Sequence, residues 1–332
     1  DLKEREDDPA GYLVRYSPSV RATWEDFSNG DVDVSRYVTA MRGEQERMGM
    51  PSQDLLPNAY AEDMAARISA AGAEGMTSML QNEASRWGSA WPQVYGQLAP
   101  KMTDIAAVIG SGIPTYAADA LASTAGLKTT ELQSMIPPGE TLKDYRDAVA
   151  DTFEEFNRSF PVDAARTVDA FNDAAIRLAI RNRQQGMSQS NAVKAAYKDL
   201  VSNYELNEFR GVTYRVPNQF DPGLVEDGAE ELLRSFYARS ASISTEGAGS
   251  SEEELRGQFN AYIRDNAYWM TAPDESGLRL YVDGGPVITG NGPVQHTWDE
   301  ITGAATKYRN ERRQLIQESE ADQSRALREG LR

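Results

Sequence analysis

One histidine, His296, serves the whole chain of 332 residues, and cysteine is absent. Any Ser-His-Asp triad or histidine-ligated metal would have to pass through His296, while disulfides, thiolate metal sites and cysteine nucleophiles are excluded. His296 stands in Pro293-Val294-Gln295-His296-Thr297, with no Gly-x-Ser-x-Gly element beside it, so a packed structural histidine is the stronger expectation. Asp31-Val32-Asp33 follows Asn29-Gly30 and faintly resembles a calcium loop. The glycine precedes the acids, however, and Arg42 occupies the position of the closing glutamate, so Asp33 reads as a capped helix start. Gly110-Ser111-Gly112-Ile113-Pro114 lacks the Gly-Lys-Ser/Thr of a phosphate loop and the third glycine of a dinucleotide fingerprint, which leaves a helix break. Acid pairs are too common in this chain for their spacing to mark a glycosidase. No catalytic, cofactor-binding or metal-ligating residue is therefore assigned, and no cofactor is expected.

The acid excess is itself informative. Against 34 Lys and Arg stand 51 Asp and Glu, a formal charge of −17. Gripping nucleic acid by counterion release requires a concentrated basic surface, and a field of this sign repels phosphates at long range. Asp1-Leu2-Lys3-Glu4 has no initiator Met and no basic-then-apolar leader, so an excerpt of a longer polypeptide is expected. Ile105 to Gly126 carries Asp119 as its only charge, but Gly110, Gly112 and Pro114 would break a spanning helix, so a buried helical hairpin is expected there instead.

The elements that must position any site are mainly helical. Leu142, Tyr145, Val149, Phe153 and Phe156 recur at three- and four-residue steps, as do Val193, Ala196, Tyr197, Leu200, Val201 and Tyr204. Prolines punctuate the series, and no fixed long period emerges, so residues 1–204 are expected to form an irregular helical domain. Met41, Met48, Met50, Met76 and Met79 fit core filling better than a partner surface. Residues 205–266 are expected to hold an extended stretch at Phe209–Pro217 and two helices joined by a flexible linker near 240–251. Residues 267–297 should form a small β meander reversing at Pro273-Asp274-Glu275-Ser276-Gly277. Residues 298–332 read as a charged, projecting helix whose apolar stripe runs through Trp298, Ile301, Ala305 and Tyr308 and then fades. Trp298, Ile301, Tyr308, Arg309, Arg312 and Arg313 are thus the candidate interaction residues.

Several stretches carry a family likeness: Asp8-Pro9-Ala10-Gly11-Tyr12 followed by Val20-Arg21-Ala22; Tyr37-Val38-Thr39-Ala40-Met41 leading through Glu44-Gln45-Glu46-Arg47 to Leu55-Leu56-Pro57; Trp91-Pro92-Gln93-Val94-Tyr95; Tyr214-Arg215-Val216-Pro217; and Tyr268-Trp269 to Leu278-Arg279-Leu280-Tyr281. Over most of its length the chain resembles the large internal virion proteins of tailed bacteriophages, the DNA-ejection proteins of short-tailed phages. The resemblance implies a helical structural protein held in the capsid interior or on the tail axis and moved into the host cell envelope at infection. Its implied partners are portal, tail or other internal virion proteins, further copies of itself, the host envelope, and genome DNA in passage rather than in tight binding. The acidity would suit a channel wall, and would equally suit plain solubility.

Members of that family often carry a lytic transglycosylase domain, whose catalytic glutamate precedes a serine at a helix end, followed by a Ser and Gly-Leu-Met-Gln-like segment. Glu275-Ser276 and Glu318-Ser319 are the Glu-Ser pairs downstream of the helical body, and neither has that sequel. A transglycosylase is therefore expected elsewhere in the parent polypeptide. An envelope-degrading hydrolase and a tape-measure or scaffold component stand as the alternatives.

Overall fold

The computed structural model describes residues 2–30, 34–50, 54–243, 261–289 and 292–330. The chain is mainly α-helical with a few small antiparallel strands toward its C-terminal end, and it divides into two compact units. The first comprises Asp1–Glu205 with Pro273–Ser276 and Ile288–Gly292; the second comprises Leu206–Ala272, Gly277–Val287 and Pro293–Arg332.

In the first unit, polar side chains make the turns between short helices. Asp8 caps the helix Pro9–Tyr16 by accepting from the Gly11 amide, and the same oxygen accepts from the Asn58 amide at the start of Asn58–Ala70. Gln97 uses both ends of its amide on the chain at Leu55 and Leu56, pinning that connection to the helix Trp91–Leu98. Trp24, Phe27, Tyr37, Tyr60 and Trp87 form one aromatic cluster, and Phe153, Phe156, Phe160, Phe171, Tyr197 and Tyr204 form another. Met41 and Met76 are buried in the core, while Met48, Met50 and Met79 are half-buried.

The weakly charged stretch folds as the expected hairpin of two short helices, Asp104–Gly110 and Thr115–Ala122. Gly112, at φ +91°, supplies the reversal, and Asn203 donates to the Ser111 carbonyl at 3.1 Å. Trp91 and Tyr95 donate to the Gly110 and Ala107 carbonyls at 3.2 and 2.6 Å, which satisfies acceptors that the end of a helix leaves open. Among the described residues, no helix is long and apolar enough to cross a membrane.

The second unit contains a small sheet between helices. Tyr204–Phe209 and Val212–Pro217 form a hairpin around Arg210 and Gly211, both at positive φ, where the sequence suggests one extended stretch. Gly277–Val282 pairs antiparallel with Tyr268–Thr271, placing Trp269 opposite Leu280. Its other edge takes two short pieces, Gly285–Pro286 and Gln295–Thr297, so the sheet is not a plain up-and-down meander. Gly277 meets His296 so closely that a Cβ would overlap the His296 carbonyl.

The helices Pro222–Ile243 and Trp298–Gly330 lie side by side against this sheet. They meet at Phe220 with Trp298, Gly228 with Ile301 and Arg234 with Glu311. Trp269 donates its indole N–H to the Ala229 carbonyl at 2.9 Å and ties the sheet to the first of them. The linker expected near 240–251 is contradicted over its first four residues, which are helical. Residues 240–243 continue the helix, since Ala and Ser carry only a small helix-propensity penalty, and 244–251 lie outside the described residues. Of the second expected helix in this region, residues 261–266 are helical and the portion before them also lies outside, as do Asp31 to Asp33.

Candidate functional site

Two places bring functional groups together. One is the outer surface of the terminal helix, which begins with a built cap. Glu300 accepts from the Thr297 amide at 2.9 Å, while Thr297 Oγ1 accepts from the Glu300 amide at 3.3 Å. His296 joins this cap: its Nδ1 lies 3.4 Å from the Glu300 carboxylate, and its ring stands edge-on to Trp269. The hydrogen bond from His296, followed by those from Thr297, holds Glu300 below the ordinary glutamate range against the opposing effect of burial. The sole histidine thus supports a helix start.

Trp298 stacks on Phe220 with ring centroids 5.3 Å apart, and Ile301 is fully buried, so both are engaged within their own unit. Tyr308 lies half-buried beneath the Arg234 guanidinium, 5.6 Å from its ring centre. Arg309 reaches back along the helix to pair with Asp227 and donates to the Gly223 carbonyl at 3.0 Å. Arg312, Arg313 and Ile316 are exposed. Of the six residues named from sequence, Arg312 and Arg313 therefore face outward, Tyr308 sits at the edge, and Arg234 and Glu311 complete a shallow depression with Tyr308 and Arg312. Arg234 bridges Glu231 and Glu311, a junction between residues 77 positions apart that no local pattern announces.

The other place is a cavity of about 240 Å³ in the first unit. The helices Trp91–Leu98, Asp104–Gly110 and Ala165–Gln184 supply its walls, together with the turn at Pro273 and Glu275. Gly96 is required here, because a Cβ would lie 2.6 Å from the Asp274 carbonyl oxygen. Glu275, at φ +56° and 7% exposed, accepts a hydrogen bond from the Tyr204 hydroxyl at 2.8 Å. At the rim, Arg166 donates to the Pro100 and Met102 carbonyls at 2.6 and 3.0 Å and lies 3.1 Å from Asp104. Among the described residues, no group of three or more His, Asp or Glu is placed to hold a metal ion.

No protein-family model, curated protein or solved structure matches this chain.

Proposed function

We propose that this chain is a structural component of a bacteriophage virion, part of a larger internal polypeptide that leaves the particle with the genome and assembles into a conduit for it. The observation that supports this reading is the helix Trp298–Gly330, 33 residues and about 50 Å long. Its beginning is anchored in the core through Trp298, Ile301 and Ala305, and Ala305 is its last buried residue among those described. A helix gains most of its stability from packing an apolar face, and a largely polar one is marginal in water. The outer half is therefore suited to lie against a partner, which is either a second copy or another virion protein.

An envelope-degrading hydrolase has one specific observation in its favour, the placement of Glu275 on a cavity wall. A volume of about 240 Å³ falls short of the roughly 300–1,000 Å³ typical of organic-ligand sites, and a glycan strand needs an open groove longer than one ring. The structural role is preferred on that ground.

Sedimentation of the full chain beside one lacking Gln317–Arg332 tests the proposal. The full chain is expected to assemble, alone or with its virion partners. The truncated chain is expected to lose assembly while keeping the melting temperature of the first unit. Undiminished assembly of the truncated chain, or release of peptidoglycan fragments by the full chain that Glu275→Gln abolishes, would overturn it.

A further inference from the structure

We infer that the cavity of the first unit is a binding site for one small, uncharged aromatic molecule. Its lining is chiefly apolar, and Tyr95, Val108, Ala164, Ala170 and Phe171 contribute to it from buried positions. The charged residues of the lining are already engaged within the protein. Arg166 donates to the Pro100 and Met102 carbonyls and to Asp104, Glu275 accepts from Tyr204, and Asp163 and Glu275 each have a further partner in the chain. The Tyr95 hydroxyl likewise donates to the Ala107 carbonyl. A charged ligand would give up hydration here with no group reserved to replace it, whereas an uncharged ring needs only contact.

Size agrees with this chemistry. A dry cavity of about 150 Å³ accepts benzene, so about 240 Å³ leaves room for a single ring with a small substituent. Two rings already belong to the lining, Tyr95 and Phe171, and aromatic pairs favour offset or edge-on contact. The walls are also tied in place, which opposes collapse of the space. The bond from Tyr95 to Ala107 joins the helix Trp91–Leu98 to Asp104–Gly110, and Arg166 joins the start of Ala165–Gln184 to the chain at Pro100, Met102 and Asp104. Phe171 packs on Phe156 and Phe160 with ring centroids 5.4 and 5.8 Å apart. A void held open in this way leaves its lining short of van der Waals contacts, and a ring that fits restores them without first ordering the site. This inference concerns a part of the molecule that the proposed assembly through the terminal helix does not use.

Fluorine NMR titration of the full chain tests it, with fluorobenzene, 4-fluorobenzoate and 4-fluorobenzylammonium as probes. Fluorobenzene is expected to occupy one saturable site, and the two charged versions of the same ring should bind at least about tenfold more weakly. Ala170→Leu adds bulk to the lining without changing any charge and should weaken fluorobenzene binding at least about tenfold. Ala107→Leu does the same from a second helix, and its side chain takes no part in the bond that Tyr95 makes to the Ala107 carbonyl. Undiminished fluorobenzene affinity in Ala170→Leu, or in Ala107→Leu should the first variant not fold, would overturn the inference. So would the absence of saturable fluorobenzene binding in the parent chain, or binding of either charged ring as tight as that of fluorobenzene.

Discussion

Gly228 decides whether the terminal helix is held as described. It lies in the interior of the helix Pro222–Ile243, where glycine is ordinarily a liability, and replacing it with alanine should stabilise an isolated helix by about 1 kcal/mol. In the folded unit a Cβ at this position would overlap the Ile301 carbonyl oxygen and come within 2.9 Å of the Ile301 side chain. A backbone carbonyl cannot rotate away as a side chain can, so the two helices would have to part around Trp298, Ile301 and Ala229, all buried. Overpacking of this kind costs up to about 3 kcal/mol. Less the propensity gain, a net loss of about 2 kcal/mol remains for Gly228→Ala. Hydrogen exchange, read at the amides of Pro222–Ile243 and of Trp298–Ala305, isolates this unit from the first. Exchange through unfolding should accelerate by roughly thirtyfold. Slower exchange in Gly228→Ala would mean that propensity wins and that the helices do not approach as closely as the structure places them.

Burial raises the Asp199 carboxyl above the ordinary aspartate range, although hydrogen bonding from Tyr116 and the charge of Lys198 oppose it. A folded carboxyl with a raised pKa holds its proton more tightly than the unfolded chain, so stability falls as pH climbs from about 4 through the folded value. Asp199→Asn should therefore match the parent near pH 3 and exceed it at pH 7 in urea unfolding; a variant less stable at both would refute this. Arg183, followed by the Tyr145 hydroxyl, holds Glu140 below the usual glutamate range, so that contribution is present above about pH 4.3 and lost as pH falls through the lower folded value. Arg183→Met should be less stable than the parent at pH 7, with the gap narrowing in acid; a gap independent of pH would contradict the pairing. Duplex DNA at about 50 mM salt should show no measurable affinity for a chain of charge −17, and tight, steeply salt-dependent binding lost on mutation of Arg312 and Arg313 would show that a local basic patch overrides the net field.

Periodicity made the helical body legible before any coordinates, because the apolar steps through Leu142 to Phe156 and Val193 to Tyr204 depend only on near neighbours in the chain. The break at Gly110 to Pro114 and the turn at Pro273 to Gly277 were legible for the same reason. The hairpin at Arg210-Gly211 was not, since its first turn residue is Arg rather than the Asn or Asp that usually announces such a turn. Thr297-Trp298-Asp299-Glu300 carried a readable capping signature that would have given His296 its place beside Glu300. Glu275 as a cavity residue had no such signal. Its surroundings come from helices near positions 95, 107 and 171, and only folding brings them together. The candidate interaction residues divide on the same principle: periodicity puts Trp298 and Ile301 on one apolar stripe, but their meeting with Phe220 and Gly228 is settled by residues more than 70 positions earlier in the chain.

The central claim, a structural virion component that leaves the particle with the genome, is tested most directly by protease protection in purified phage particles that contain this chain. Digestion before and after genome release is triggered in vitro, followed by mass spectrometry of peptides from Trp87 to Lys101 and from Trp298 to Arg309, locates the chain. Full protection in intact particles and loss of the chain from the emptied ones are expected. A chain cleaved on the outside of intact particles, or retained undiminished after the genome has left, would contradict the account.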